Sequence, residues 1–191
     1  AALASEVPES DAQAIDYFTK YAGCDNKGNQ LPGSPMKGGI VVFAAGNDGI
    51  QNGIPGKYPA AIAVGATNSA GSVAGFSNWG DWVDICAPGQ SITSTVTGSE
   101  YGNMSGTSMA CPHVSGACAL LVSFFGGEGF TNELLREILL KGANPSLINS
   151  GNHPVGPYLD ITGSLQYGID KFRRENNHDP EITTDYDGDF V

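Results

Sequence analysis

Gly106-Thr107-Ser108-Met109-Ala110-Cys111-Pro112-His113 opens a run of small and apolar residues that continues through Val114, Ala117, Ala119, Leu120, Leu121 and Phe124. Apolar positions fall on every face over about 108–125, which predicts a helix buried all round. Pro112 is compatible with such a helix only near its start, where backbone N–H groups lack partners anyway. A serine placed where a glycine-led turn enters a helix has two advantages as a nucleophile. Its side chain projects from the turn, and the helix N-terminus supplies positive potential and free N–H groups for an oxyanion. Taken alone, Ser108 is better read as a helix-capping residue, and a lone G-x-S-x-A pattern does not overturn that reading. The pattern also departs from the α/β-hydrolase elbow, which has Gly where Ala110 stands.

Outward from this segment, the chain alternates strand and helix signals. Ile40-Val41-Val42-Phe43-Ala44-Ala45 is an unbroken apolar run between glycines, as expected of a strand covered on both faces of a parallel sheet. Ala61–Ala66 predicts a second such strand and Val83–Ala87 a short third. Ser10-Asp11-Ala12-Gln13 has the form of a capping box, followed by a buried stripe of Ile15, Phe18 and Ala22 and a stop at Gly23. Thr131 is placed to cap a helix carrying Leu134, Leu135, Ile138 and Leu139, ended by Gly142. A last short helix is expected over 162–169. The fold class is α/β, with a parallel sheet and flanking helices.

Composition narrows the function. In 191 residues, 40% are apolar and 15% charged, enough for one globular core. The net charge of −11 disfavours nucleic acid as a partner and offers no basic face to anionic lipid. The longest apolar run, Ile40–Ala45, is far short of the ~18 residues of a membrane span. Six acidic residues and no Lys or Arg lie between Glu175 and Val191, so 175–191 reads as an acidic linker toward a further domain, and 1–174 as the folded unit. The cysteines (Cys24, Cys86, Cys111, Cys118) show no disulfide framework. On one helix, Cys111 and Cys118 would stand ~10 Å apart, too far to bridge. No C-x-x-C pair suggests zinc. Asp185-Tyr186-Asp187-Gly188-Asp189 alternates carboxylates like a calcium loop but lacks the distal glutamate, so no cofactor or metal ligand is assigned. The chain begins with Ala1 rather than Met and carries no signal peptide, so processing or a longer parent is expected.

The segment from Gly106 to His113 resembles the nucleophile signature of the subtilisin-like serine proteases, Gly-Thr-Ser-Met-Ala-x-Pro-His. Further similarities follow in the same order. Ala44-Ala45-Gly46-Asn47 resembles the strand end bearing the oxyanion asparagine, and Pro55 to Ala66 the segment after it. Phe76-Ser77-Asn78-Trp79-Gly80, Ala87-Pro88-Gly89 and Tyr101-Gly102 also fit. The resemblance covers about residues 10–170. It implies that Ser108 is the acylating nucleophile and that Asn47 donates its amide to the oxyanion beside the Ser108 backbone N–H. Ala45 and Gly46 would form one wall of the pocket for the residue before the scissile bond and Gly53 its floor, with Asp48 at the rim. A polypeptide substrate and an extracellular location follow from the resemblance alone, and calcium in the parent protein is left open.

The family also uses an aspartate and a histidine before the serine. Here no histidine precedes Ser108. His113 lies five residues later, about 140° round the same helix, and cannot face the hydroxyl; a structural hydrogen bond is its expected role. His153 and His178 match nothing catalytic, and Asp11, Asp16 and Asp25 lie in no family motif. The resemblance therefore implies the C-terminal half of a protease domain, with the catalytic Asp and His in an N-terminal half upstream. By itself the chain is expected to be inactive and to self-associate through an exposed sheet edge. Two alternatives stand beside this one. One is a non-catalytic pseudo-protease that binds or assembles; the other is a two-chain enzyme held together after cleavage.

Overall fold

The computed structural model describes residues 7–146 and 153–176. Its elements run α1 (Glu9–Tyr21), β1 (Val41–Ala44), β2 (Ala61–Thr67), β3 (Ile85–Pro88), β4 (Ile92–Val96), β5 (Glu100–Met104), α2 (Thr107–Phe125), α3 (Asn132–Lys141) and α4 (Ile161–Asn176). The sheet is built around β2, whose small and branched apolar residues are all buried. β2 pairs in parallel with β1 from Val41↔Ala61 to Ala44↔Val64, and with β3 from Val64↔Ile85 to Thr67↔Pro88. The strand order is thus β1-β2-β3. All three predicted strands form, so the α/β class and parallel sheet stand as expected.

α2 lies across all three strands. Ala110, Val114, Ala117, Cys118 and Leu121 form its buried stripe, and they join Ile62, Val64, Ile85, Leu135, Ile138 and Leu139 in the main core. The expectation of a helix buried all round is corrected. Ser115, Gly116, Ala119 and Ser123 are exposed, Leu120 is 50% exposed and Phe124 60%. A three-stranded sheet with α3 and α4 alongside reaches only one side of the helix. β1 is half-buried for a related reason: of the two outer strands, β3 is flanked by the segment that bridges Cys86 to Tyr158, whereas β1 has only β2 beside it among the described residues. By length and composition α2 also meets the requirement for a membrane span, at mean hydropathy 1.5. The core helix of a globular domain shares that property, and here the buried stripe rests on the sheet. Pro112 lies in the second turn, past the four N–H groups a helix start leaves free, so the Ser108 carbonyl loses its i+4 donor.

At α1 the capping box does not form. The helix starts one residue before Ser10: Asp11 and Ala12 donate their N–H groups to the Pro8 carbonyl, and the Ser10 hydroxyl bonds Asp11 instead. Ile15 is buried as expected, but Phe18 remains 48% exposed, its ring lying against Gly39. At α3 the Thr131 side chain accepts the Leu134 N–H at 3.2 Å, and the Gly142 N–H closes the helix on Ile138. Arg136 on α3 clasps the sheet's lower end, donating to the Ala61 carbonyl (2.8 Å) and to Asp84 (2.7 Å). The last helix is longer than expected, running to Asn176. From 177 on, the acidic segment lies outside the described residues, His178 and the Asp185–Asp189 carboxylates with it.

The antiparallel hairpin of β4 and β5 was not anticipated. Its signals are present: β-branched Ile92, Thr93, Thr95 and Val96, then a Thr97-Gly98-Ser99 turn with φ of +92° at Gly98 and +61° at Ser99. Its strands are largely exposed, so no apolar alternation marks them.

Candidate active site

Ser108 is the second residue of α2 and is exposed. Gly106 precedes the helix and ties it to the end of β3, its N–H donating to the Gly89 carbonyl at 2.7 Å. The four N–H groups at a helix start have no partner within the helix. Here the Met109 and Ala110 N–H groups fold back on the Gly106 carbonyl, and that of Thr107 goes to Asn47. Among the described residues, the Ser108 N–H and Oγ have no hydrogen-bond partner.

Asn47 follows β1 at its carboxyl end, the edge at which α/β sheets place ligands. Its Oδ1 accepts two bonds from Thr107, one from the backbone N–H (2.8 Å) and one from the hydroxyl (3.0 Å). A backbone N–H can only donate, so the amide orientation is determined: the oxygen faces Thr107 and the Nδ2 donor points away, engaging no described residue. The Thr107 hydroxyl, fully buried, also accepts the Gly46 N–H at 3.1 Å. One side chain at the start of α2 thus holds both residues at the end of β1. The structure brings Asn47 and Ser108 to the same helix end, as the sequence led one to expect.

Ala45, Gly46 and Gly53 also meet, around a cleft of about 140 Å³ that Asp48, Ile50, Asn52, Ile54 and Asn78 complete. Glycine is required at two of these positions. Gly46 has φ of +103° and a Cβ there would meet the Asn78 amide. At Gly53 a Cβ would enter the Trp82 ring. Asp48 lines the cleft and is exposed. A larger trough of about 560 Å³ runs between α1 and the start of α3, where Lys20, Lys37 and Arg136 line it. Its lining includes none of Ser108, Asn47, Ala45, Gly46 and Gly53.

His113 and His153 both engage groups other than Ser108. His113 is exposed and its Nδ1 donates to the Met109 carbonyl at 2.8 Å, the structural hydrogen bond expected of it. His153 stacks on Trp79, with ring centroids 4.1 Å apart. Asp16 accepts from the Tyr58 hydroxyl at 2.8 Å. Asp25 is held below the usual carboxylate range by backbone and side-chain hydrogen bonds from Asn29 and the backbone of Lys27. The cysteines are all free. Burial pushes the Cys86 and Cys118 thiols up to about 12, consistent with small inert core residues. Sequence reasoning assigned no role to Thr107 or Asn78. Both lie within stretches whose family likeness was noted, but only the fold shows what they touch.

The sequence matches the model of the subtilase family, peptidase family S8, over residues 3–177. This chain belongs to the subtilase family. It is 48% identical over 109 residues to a thermophilic serine proteinase of Bacillus sp. (strain AK1), covering 56% of this chain and 26% of that protein. It is 53% identical over 89 residues to subtilisin of Bacillus pumilus, covering 44% of this chain and 32% of the relative. The chain thus spans about a quarter to a third of the length of these curated subtilases. Among solved structures, a cold-adapted subtilisin-like serine proteinase aligns with a TM-score of 0.56 at 36% identity, over 61% of this chain and 42% of that one. The prenylagaramide maturation protease PagA aligns with a TM-score of 0.62 at 25% identity, over 87% and 70%. The subtilase architecture of parallel sheet and flanking helices is therefore present here over part of a relative's length.

Proposed function

We propose that this chain is the nucleophile-bearing part of a serine endopeptidase. Ser108 Oγ attacks the scissile carbonyl, while the Asn47 amide and the Ser108 backbone N–H receive the developing oxyanion. The serine proton passes to an imidazole, oriented by an aspartate, from an N-terminal half of the same domain. The amine leaves with that proton, and water then hydrolyses the acyl-enzyme. The observation that carries this reading is the Asn47 amide, oriented by Thr107 beside the helix end that bears Ser108 and with its donor free. The substrate is a polypeptide. Ala45, Gly46 and Gly53 leave room for a large apolar side chain before the scissile bond, and Asp48 at the rim admits a basic one. On the family resemblance, the parent protein acts outside the cell.

The N-terminal half would pair with the outer edge of β1 and cover the exposed side of α2, where Leu120 and Phe124 stand open. Without it the chain lacks a base for Ser108 and self-associates through the same surfaces. The test compares the 191-residue chain with the longer protein on a chromogenic peptide. The chain alone turns over no substrate and sediments as more than a monomer. The longer protein hydrolyses peptide, and Ser108→Ala abolishes the activity. Activity that survives Ser108→Ala in the longer protein would overturn the assignment. A longer protein with neither activity nor an upstream histidine would establish the pseudo-protease alternative.

A further inference from the structure

The segment 46–52 carries one wall of the cleft and has no regular structure of its own, so its backbone polar groups must find partners elsewhere. One side chain takes three of them. Asn78, only 3% exposed, accepts the Asp48 N–H at 2.9 Å and the Ile50 N–H at 3.2 Å through Oδ1, and donates Nδ2 to the Asn52 carbonyl at 2.6 Å. Asn78 is itself held, because its N–H donates to the Gly46 carbonyl (2.9 Å) and its carbonyl accepts from the buried Ser77 hydroxyl (3.1 Å). Trp79 fastens the same segment from outside, with bonds to the Gly49 and Ile50 carbonyls. Asn47, in contrast, is oriented from the other side, by Thr107 on α2. Wall and oxyanion donor are neighbours in the chain but are secured by different elements.

We propose that Asn78 is a positioning residue for substrate selection: it holds Asp48, Ile50 and Asn52 as a preformed wall, and so determines how strongly the cleft prefers a large side chain over a small one. This deepens the endopeptidase reading and rests on it. Without the Asn78 amide, the Asp48 and Ile50 N–H groups and the Asn52 carbonyl lose their partners. The Gly46, Gly49 and Ile50 anchors remain, so the segment stays in place but the wall loosens. A large side chain then binds a cleft that must be ordered at the moment of binding, while alanine scarcely uses the wall.

The experiment uses the longer protein, with rates normalised to active sites titrated by a sulfonyl fluoride. Substrates carry phenylalanine or alanine before the scissile bond. Asn78→Ala is expected to lower the phenylalanine-to-alanine ratio of kcat/KM about tenfold, within the range one apolar pocket commands. The change enters through KM, with kcat held to within about threefold. Asn47→Ala is the contrast, lowering kcat for both substrates alike. Asn78→Asp keeps the two acceptor bonds, sets an oxygen against the Asn52 carbonyl, and serves if the alanine variant does not fold. Amide hydrogen exchange over 46–52 gives a second readout that needs no activity, and is expected to quicken at Asp48 and Ile50 in Asn78→Ala and by less in Asn78→Asp, where only the Asn52 bond is lost. An unchanged substrate ratio, an equal fall in kcat for both substrates, or unchanged exchange would overturn the proposal. Loss of all Ser108-dependent hydrolysis in the unmutated protein would instead sink the endopeptidase reading, and the exchange measurement would still decide whether Asn78 secures the wall.

Discussion

Thr107→Val removes one hydroxyl and nearly preserves shape, so it isolates what that hydroxyl does at the end of β1. In the structure it accepts the Gly46 N–H at 3.1 Å and donates to Asn47 Oδ1 at 3.0 Å, and it is fully buried. The Thr107 backbone N–H keeps its own bond to Asn47 at 2.8 Å, so the amide is loosened rather than released. An intramolecular hydrogen bond contributes about 1 kcal/mol net. Losing one of the two bonds that orient Asn47 should therefore cost about 1–1.5 kcal/mol in the transition state, roughly tenfold in kcat. Deleting an oxyanion donor outright costs about 2.7–4 kcal/mol, a magnitude established on the asparagine of subtilisin and borrowed here. The assay is steady-state hydrolysis by the longer protein carrying Thr107→Val, Asn47→Ala, or both. Because Thr107 acts through Asn47, the double variant should be no slower than Asn47→Ala by itself. If the two losses multiply, or Thr107→Val runs at the unmutated rate, the account of Thr107 as the residue orienting Asn47 is refuted.

The two sides of α2 should respond differently to truncation. Leu121→Ala, at a fully buried position, is expected to destabilise by about 3 kcal/mol, against under ~0.5 kcal/mol for Leu120→Ala; urea midpoints in this chain measure both, and equal effects would contradict the one-sided packing. Iodoacetamide at pH 8 should label Cys24 well before Cys86 and Cys118, since the two buried thiols are pushed up to about 12 and stay protonated. The folded state favours the protonated thiol, so this contribution is fully present below about pH 9 and is lost as pH rises toward 12. Each thiol then adds a slope of about −1.4 kcal/mol per pH unit. Cys86→Ala and Cys118→Ala should flatten the alkaline fall in urea midpoint, and an unchanged fall would show that other groups cause it.

Much of the scaffold was legible because its signals are local. Ala61–Ala66 is uninterrupted apolar sequence and became the fully buried central strand; Thr131 and Gly142 bracket α3 as cap residues do. Local signals also misled where a neighbour decided the outcome. Ser10 had the residue type of a cap, but Pro8 already offered its carbonyl to the first turn. The apolar residues of α2 lie on every face, and nothing in their spacing says that the sheet covers one side and leaves Leu120 and Phe124 open. The β4–β5 hairpin escaped notice because it packs on little, and burial is what writes alternation into a strand.

The sequence by itself determined the family, the class of fold and the identity of the helix-start serine. A glycine turn, a small-residue helix and apolar runs are specified within windows of a few residues. Only the tertiary structure decided that Thr107 holds Asn47 across 60 positions of chain, that Asn78 reaches back 26 to 30 positions to the wall of the cleft, and that Gly53 must be bare beneath Trp82. Those contacts depend on the parallel register that brings the ends of β1, β2 and β3 to one edge beside the start of α2. Register is settled by packing between distant segments, so no local stretch of residues carries it.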